Sequence, residues 1–225
     1  MSDLNDIVAV GLNLKPKTLL SAYAQGVFPW PSPGLPLLWH CPQKRGVLDF
    51  ADLHVGKRLK QYLKKADWTY TINREFKAVI DACSERGEEG TWIIPEMKEA
   101  YTHLHELGHA HSVEVWNGKQ ELVGGLYGVD VAGTFAGESM FHREDNASKA
   151  AILFVVSCLK KAGREFMDTQ VITPHMEALG GKEIPRTVFR KRLKQIQEKI
   201  KVLGPTHPFS GDGVYHYQDL SISIE

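Results

Sequence analysis

An α+β fold is predicted for this chain, on three observations. Apolar residues recur at helical spacing in several separate segments, and strand-like runs lie between those segments. Two of the runs are joined at Asn117-Gly118, a dipeptide that favours a tight type I′ hairpin. Helices and strands mixed around an antiparallel pair argue against the strict strand–helix alternation of a parallel sheet.

From the N-terminus, residues 14–25 read as a short helix. Pro16 suits a first turn, Leu19, Leu20 and Tyr23 share a face, and Gly26 ends the run. Residues 28–41 carry Pro29, Pro31, Pro33 and Pro36 among Trp30 and Trp39, too much proline for a helix or a central strand. A rigid extended loop displaying aromatics is expected there. A helix over 54–65 follows, and the break near Ala66-Asp67 divides the chain into a small N-terminal lobe, 1–65, and a main domain, 66–225. The main domain reads as strand 69–72, helix 76–83, loop 86–92, helix 95–107, strands 112–116, 121–129 and 131–136, helix 147–162, strand 166–171 and a closing helix 186–203.

The 225 residues, 43% of them hydrophobic, suffice for a core without disulfides or metal. Cys41, Cys83 and Cys158 are odd in number and form no Cys-x-x-Cys pair, which fits a reducing compartment. No apolar run approaches the ~20 residues of a membrane span, and the N-terminus lacks a signal-peptide core, so a cytoplasmic protein is expected. With 27 basic and 27 acidic residues the net charge is zero, so any nucleic-acid contact must come from local patches. Two exist: Lys57, Arg58, Lys60, Lys64 and Lys65, and Arg190, Lys191, Arg192, Lys194 and Lys199. Both have helical spacing, and on charge alone each reads as a solvated helix face.

Residues 122–149 run strand, turn, strand, polar turn, helix, and place one carboxylate, Glu138, among apolar and aromatic neighbours. A charge there is costly unless it is paired or holds a ligand. Leu122-Val123-Gly124-Gly125-Leu126-Tyr127-Gly128, Gly137-Glu138-Ser139-Met140-Phe141 and Ala147-Ser148-Lys149 resemble the core of the leucyl/phenylalanyl-tRNA–protein transferases. The resemblance continues in Leu19-Leu20-Ser21-Ala22-Tyr23, Gly26-Val27-Phe28-Pro29-Trp30, Gly90-Thr91-Trp92-Ile93, Asp168-Thr169-Gln170 and Ile184-Pro185-Arg186, in order along most of the chain. One departure is Gly11-Leu12-Asn13-Leu14, which stands where the family has Gly-Gly-Asp-Leu.

The resemblance implies a small N-terminal lobe joined to an acetyltransferase-like (GNAT-like) mixed sheet. It implies transfer of leucine or phenylalanine, or methionine, from aminoacyl-tRNA to the N-terminal Arg or Lys of acceptor proteins, marking them for degradation by the N-end rule, with no cofactor. An aminoacyl ester is already activated, so positioning, which can supply roughly 7–11 kcal/mol, could carry most of the rate. Carried over residue by residue, Asp168 and Gln170 are the catalytic pair, sharing a face by strand alternation. Asp168 either deprotonates the acceptor amine or only orients it. Leu126 and Val155 are carried over as donor-pocket positions; Tyr127, Met140 and Phe141 are sited in the sequence to line the same apolar pocket, and Glu138 is the candidate for its polar end. Trp30 and Trp92 lie near the terminal adenosine, and Lys57, Arg58, Lys60 and Lys64 touch the acceptor stem.

Other readings remain beside this one. His105-Glu106-Leu107-Gly108-His109 matches the zinc-peptidase pattern, which needs a helix continuing through the second His. Gly108 sits at an expected helix end, so His109 leaves that face and no metal site is expected. An acyl-CoA N-acyltransferase wants a Gly-rich phosphate turn entering a helix, whereas Glu144-Asp145-Asn146 is acidic here. A tRNA-binding module without catalysis is the third alternative.

Overall fold

In the computed structural model, which describes residues 4–85 and 91–220, the proline-rich N-terminal stretch folds as a small antiparallel sheet. Strands β1 (Ile7–Val10), β2 (Phe28–Trp30) and β3 (Leu38–His40) take the order β1-β3-β2. This corrects the extended loop expected over 28–41. Proline is tolerated at a sheet edge, and Pro29 lies on the edge strand β2 opposite Trp39 of the proline-free central strand. Helix α1 (Pro16–Tyr23) begins on Pro16 and buries Leu19, Ala22 and Tyr23. Asn13 Oδ1 accepts hydrogen bonds from Lys15 N and Thr18 Oγ1 just before the helix, as an aspartate there could. Leu12 takes a left-handed φ of 58°.

Strands β4 (Lys44–Asp49), β5 (Thr69–Ile72), β6 (Ala110–Trp116), β7 (Leu122–Val131), β8 (Thr134–His142), β9 (Phe166–Gln170), β10 (Lys182–Pro185) and β11 (Tyr215–His216) form an eight-stranded sheet. Their order is β10-β4-β9-β8-β7-β6-β5-β11. The expected lobe 1–65 therefore holds the small sheet together with one inner strand, β4, of the large one. Helices α2 (Lys57–Lys65), α3 (Phe76–Ser84), α4 (Pro95–Glu106), α5 (Ala147–Lys161), α6 (Pro174–Glu177) and α7 (Arg186–Leu203) complete the α+β fold. Part of the loop expected over 86–92, including Gly90 of the Gly-Thr-Trp-Ile motif, lies outside the described residues. Among the described residues, no helix is long and apolar enough to cross a membrane.

The β6–β7 hairpin closes by a longer turn than Asn117-Gly118 suggests. Gln120 N donates to Asn117 O, and the left-handed residue is Gln120, φ 62°. A turn with two left-handed residues occurs instead at Ala132 (φ 50°) and Gly133 (φ 84°), between β7 and β8. Helix α5 covers one face of the sheet with a core that includes Leu126, Ile152, Val155, Val156 and Met167. The other face packs Tyr127 and Phe141 against α1, α3 and α4.

One strand pair positions the site. β8 and β9 run parallel, joined by the single register pair Ala136↔Asp168. Beyond it they part, and the sheet opens between Glu138 and Gln170.

Candidate active site

Two β-bulges flank this opening. Pairing of β7 with β8 jumps from Tyr127↔Ser139 to Gly128↔Gly137, so Glu138 is the extra residue of the first. A Cβ on Gly128 would lie 2.3 Å from Ala136 O, so the backbones meet there as only glycine permits. Pairing of β4 with β9 jumps from Val47↔Asp168 to Gly46↔Gln170, so Thr169 is the extra residue of the second. Gln170 then takes a left-handed φ of 56°. Simple alternation of Asp168 and Gln170 is thereby broken, and their side chains go to different partners.

Gln170 Nε2 donates to Glu138 Oε1 at 2.8 Å, across the opening. Asp168 is 3% exposed and turns inward to Arg45, itself 1% exposed. Arg45 Nε meets Asp168 Oδ1 at 2.7 Å and Nη2 meets Oδ2 at 2.6 Å, and the guanidinium lies over the rings of Phe28 and Phe189. The Gln170 backbone N–H also donates to Asp168 Oδ1, at 3.0 Å. That bond fixes the left-handed residue, a conformation that costs of order 1–3 kcal/mol. Asp168 thus anchors Gln170, and both of its oxygens are engaged. Sequence reasoning missed Arg45: one basic residue at the head of a short strand carries no signal of a partner 123 residues away.

Glu138 meets a different set of groups. Tyr101 Oη donates to its Oε2 at 3.4 Å, and the hydroxyls of Tyr101 and Tyr23 are hydrogen-bonded to each other. Burial pushes the Glu138 carboxyl up to about 8, and the Asp168 charge adds to this, while a Tyr23 hydrogen bond, the Arg45 charge and a Tyr101 hydrogen bond oppose it. Burial, followed by the Glu138 charge, raises Tyr23 and Tyr101 well above the ordinary tyrosine value, so both hydroxyls stay protonated.

A cavity of about 150 Å³ occupies the opening. Leu126, Met140, Met167 and Met176 supply its apolar wall, Phe28, Trp30 and Trp92 its aromatic wall, and Glu138, Thr169 and Gln170 its polar side. Glu138 is the only ionisable side chain among the described residues that line it. Leu126 and Met140 are register partners across β7 and β8, which places them together. Trp30 and Trp92 lie with ring centroids 6.0 Å apart and planes inclined by 33°. Asp168, Val155, Tyr127 and Phe141 are not among the lining residues: Val155 lies in the α5 core, and the two aromatics pack on the opposite core. A larger cavity of about 390 Å³, between α7 and the β7–β8 turn, shares none of these residues.

Lys57, Arg58 and Lys64 are exposed on α2 and Lys60 is half-buried there. Arg58 lines a groove that also holds Lys149 and Leu179, none of which lines the cavity. The peptidase-like motif is taken apart by the fold. Helix α4 ends at Glu106, Gly108 has φ 78°, and the His105 ring stacks on Phe76 at 4.3 Å with its Nδ1 2.9 Å from Ala110 O. The acidic turn weighed against an acyl-CoA site is also in use, since Glu144 accepts from Trp68 Nε1 and Asn117 Nδ2.

Residues 47–194 match the family model described as leucyl/phenylalanyl-tRNA protein transferase, and residues 13–43 match the model of that family's N-terminal domain. The chain belongs to the leucyl/phenylalanyl-tRNA protein transferase family. Leucyl/phenylalanyl-tRNA–protein transferases similar to it include those of Syntrophus aciditrophicus, 48% identical over 92% of this chain and 88% of that one, and Yersinia enterocolitica, 47% identical over 86% and 81%. The Shewanella halifaxensis transferase is 46% identical over 88% of this chain and 84% of its own. Among solved structures, L-PGS from Bacillus licheniformis has a TM-score of 0.41 and 11% identity, covering 84% of this chain and 71% of that one. A member of the transferase family is an aminoacyltransferase that works between aminoacyl-tRNA and a protein. The acyl-CoA, tRNA-module and peptidase alternatives give way to it.

Proposed function

We propose that the cavity between β8 and β9 receives the aminoacyl end of leucyl- or phenylalanyl-tRNA and joins it to the N-terminal Arg or Lys of an acceptor protein, in the cytoplasm, marking that protein for degradation. The observation that carries this is the pairing of Glu138 with Gln170 at the mouth of a pocket walled by Leu126, Met140 and Met167. Methionine walls adapt to both branched and aromatic side chains. Trp30 and Trp92 offer faces to the terminal adenosine, where stacking contributes roughly 1–3 kcal/mol per base. From there the acceptor stem runs past α6 along the basic residues of α2.

In the reaction, the acceptor ammonium first gives a proton to Glu138 in its ionised form, which with a value of about 8 is the minority form at neutral pH and grows as pH rises. Its freed amine attacks the ester carbonyl carbon, the new C–N bond forms, and the ester C–O bond breaks. The attacking nitrogen's second proton passes to the ribose oxygen, which leaves as a hydroxyl, and the proton held by Glu138 is released to solvent, one proton overall. A base near 8 matches an α-amine of about 7.7–8.0, so the transfer runs close to level. Gln170 orients the reacting groups. Asp168, whose oxygens are engaged by Arg45 and the Gln170 N–H, serves as the positioning residue for Gln170 instead of meeting the amine itself.

The test is direct. Labelled leucyl-tRNA is incubated with the protein and a peptide beginning with Arg, and label is sought on the peptide. Transfer is expected, and its absence with intact leucyl-tRNA defeats the proposal.

A further inference from the structure

Beside the cavity lies a second groove, of about 620 Å³, and the two share Phe28, Trp30 and Val171 as a common wall. Its own lining includes Asp6 and Glu183, brought together from the N-terminal 3-10 turn and from β10, together with His40 of β3. We infer that this groove is the subsite that holds the cationic side chain of the acceptor's first residue, with Asp6 and Glu183 as its counter-charges. The inference rests on the function proposed above.

Charge is the first argument. Among the described residues the cavity has no carboxylate to spare for a guanidinium or ammonium side chain, because Asp168 is neutralised by Arg45 and Glu138 is committed to the reacting amine. Neighbouring negative charge is found in this groove. Asp6 is fixed there by one oxygen, Oδ1, which accepts the Gln43 backbone N–H at 2.8 Å. Among the described residues Glu183 pairs with one cation, Lys44, at 3.5 Å, the Lys44 side chain being 79% and the Glu183 side chain 48% exposed. An ion pair so exposed contributes little, and an incoming cation can replace Lys44.

An unmet hydrogen-bonding atom is the second argument. His40 is 4% exposed and its Nε2 is buried without a hydrogen-bond partner. Burial lowers its pKa, so the ring is neutral, and with its proton on Nδ1 it presents an acceptor to an N–H donor. Phe28 stacks on the ring at 6.0 Å and holds it in place. The geometry then explains why a long side chain suits the site: the α-amine stays beside Glu138 while the stem of Arg or Lys passes Trp30 and Val171 to reach the acids.

The test compares peptides that differ only in charge at the first residue, Arg against citrulline and Lys against norleucine, with leucyl-tRNA as donor. In the unaltered protein kcat/KM is expected to favour the charged peptide by about tenfold, two partly exposed pairs and one hydrogen bond acting together. In Asp6→Asn/Glu183→Gln that preference should fall to near unity while the rate on the citrulline peptide is unchanged. Asp6→Asn keeps the oxygen that receives the Gln43 N–H, and Glu183→Gln alone, at an exposed position, should halve the preference in a protein of unaltered melting temperature. Equal rates on both peptides in the unaltered protein, or a preference that survives both substitutions, overturn the subsite. Failure of the proposed function looks different, since no peptide then acquires label.

Discussion

The Arg45 guanidinium occupies both carboxylate oxygens of Asp168, in a pair shielded from solvent and tied through the Gln170 backbone N–H to the edge of the cavity. Breaking such a pair by removing one partner leaves an uncompensated buried charge and costs about 3–5 kcal/mol, whereas replacing both partners with apolar groups is often neutral. Arg45→Met should therefore lose stability on that scale in urea unfolding. Arg45→Met/Asp168→Leu should recover most of it. Transfer activity should stay low in both: in the single variant Asp168 loses the guanidinium that holds it under the Gln170 N–H, and in the double variant that N–H loses its acceptor outright. Recovery of activity along with stability in the double variant would show that Asp168 does not position Gln170.

Glu138 makes stability depend on pH with a definite sign. Its folded value of about 8 lies above the unfolded 4.5, so between these limits the folded protein holds a proton that the unfolded chain has lost. Its contribution thus falls as pH rises from about 5 to 8, and stays reduced above that. Glu138→Gln does not titrate, so its melting temperature should gain on the unaltered protein across this window and level off beyond it. The same variant should lower kcat by about two orders of magnitude, the scale of acid–base help, with little change in the KM for leucyl-tRNA. A pH-independent difference in melting temperature would contradict the raised value.

Leu12 stands where the family has its second glycine, at φ 58° and 62% exposed. A non-glycine residue in that region costs about 1–2 kcal/mol, and little burial is lost on removing this side chain. Leu12→Gly should raise the melting temperature by about 2–4 °C per kcal/mol recovered for a chain of this size, the glycine's greater unfolded-state entropy taking back part of the gain. A calorimetric scan that shows a decrease would mean that Leu12 makes a contact outweighing its backbone strain.

On α2, Arg58→Gln/Lys64→Gln should raise the KM for leucyl-tRNA and reduce the slope of log KM against log salt by about 0.7–0.9 for each phosphate contact removed. The turnover number should hold. An unchanged salt slope would make α2 an ordinary solvated helix face.

Much of the main domain is legible in the sequence because its helices are long and periodic. The reading of 186–203 coincides with α7, and 147–162 overruns α5 by one residue. Strands β4 and β10 escaped notice because they are short, one opening on Lys44-Arg45 and the other ending on Pro185, and their partners lie far along the chain. The same limit applies at the site. Glu138, Gln170, Leu126, Met140, Trp30 and Trp92 are recognisable as motif residues, and the fold gathers them around one cavity. Val155 is not there, because α5 is apolar nearly all round, and periodicity does not distinguish a residue facing a void from one facing packed core. The bulge at Thr169 also undoes the alternation that would put Asp168 and Gln170 on one face.

The guanidinium of Arg45 rests on Phe28 from the small sheet and on Phe189 from the closing helix, although Arg45 itself belongs to the large sheet. One side chain therefore touches all three parts of the chain. A homologous N-terminal segment grafted in their place must bring an aromatic ring to the same spot, or the arginine loses one cover and the strain at Gln170 loses its support. Exchange of whole lobes between related proteins is thus constrained by a single side chain that never meets the substrate.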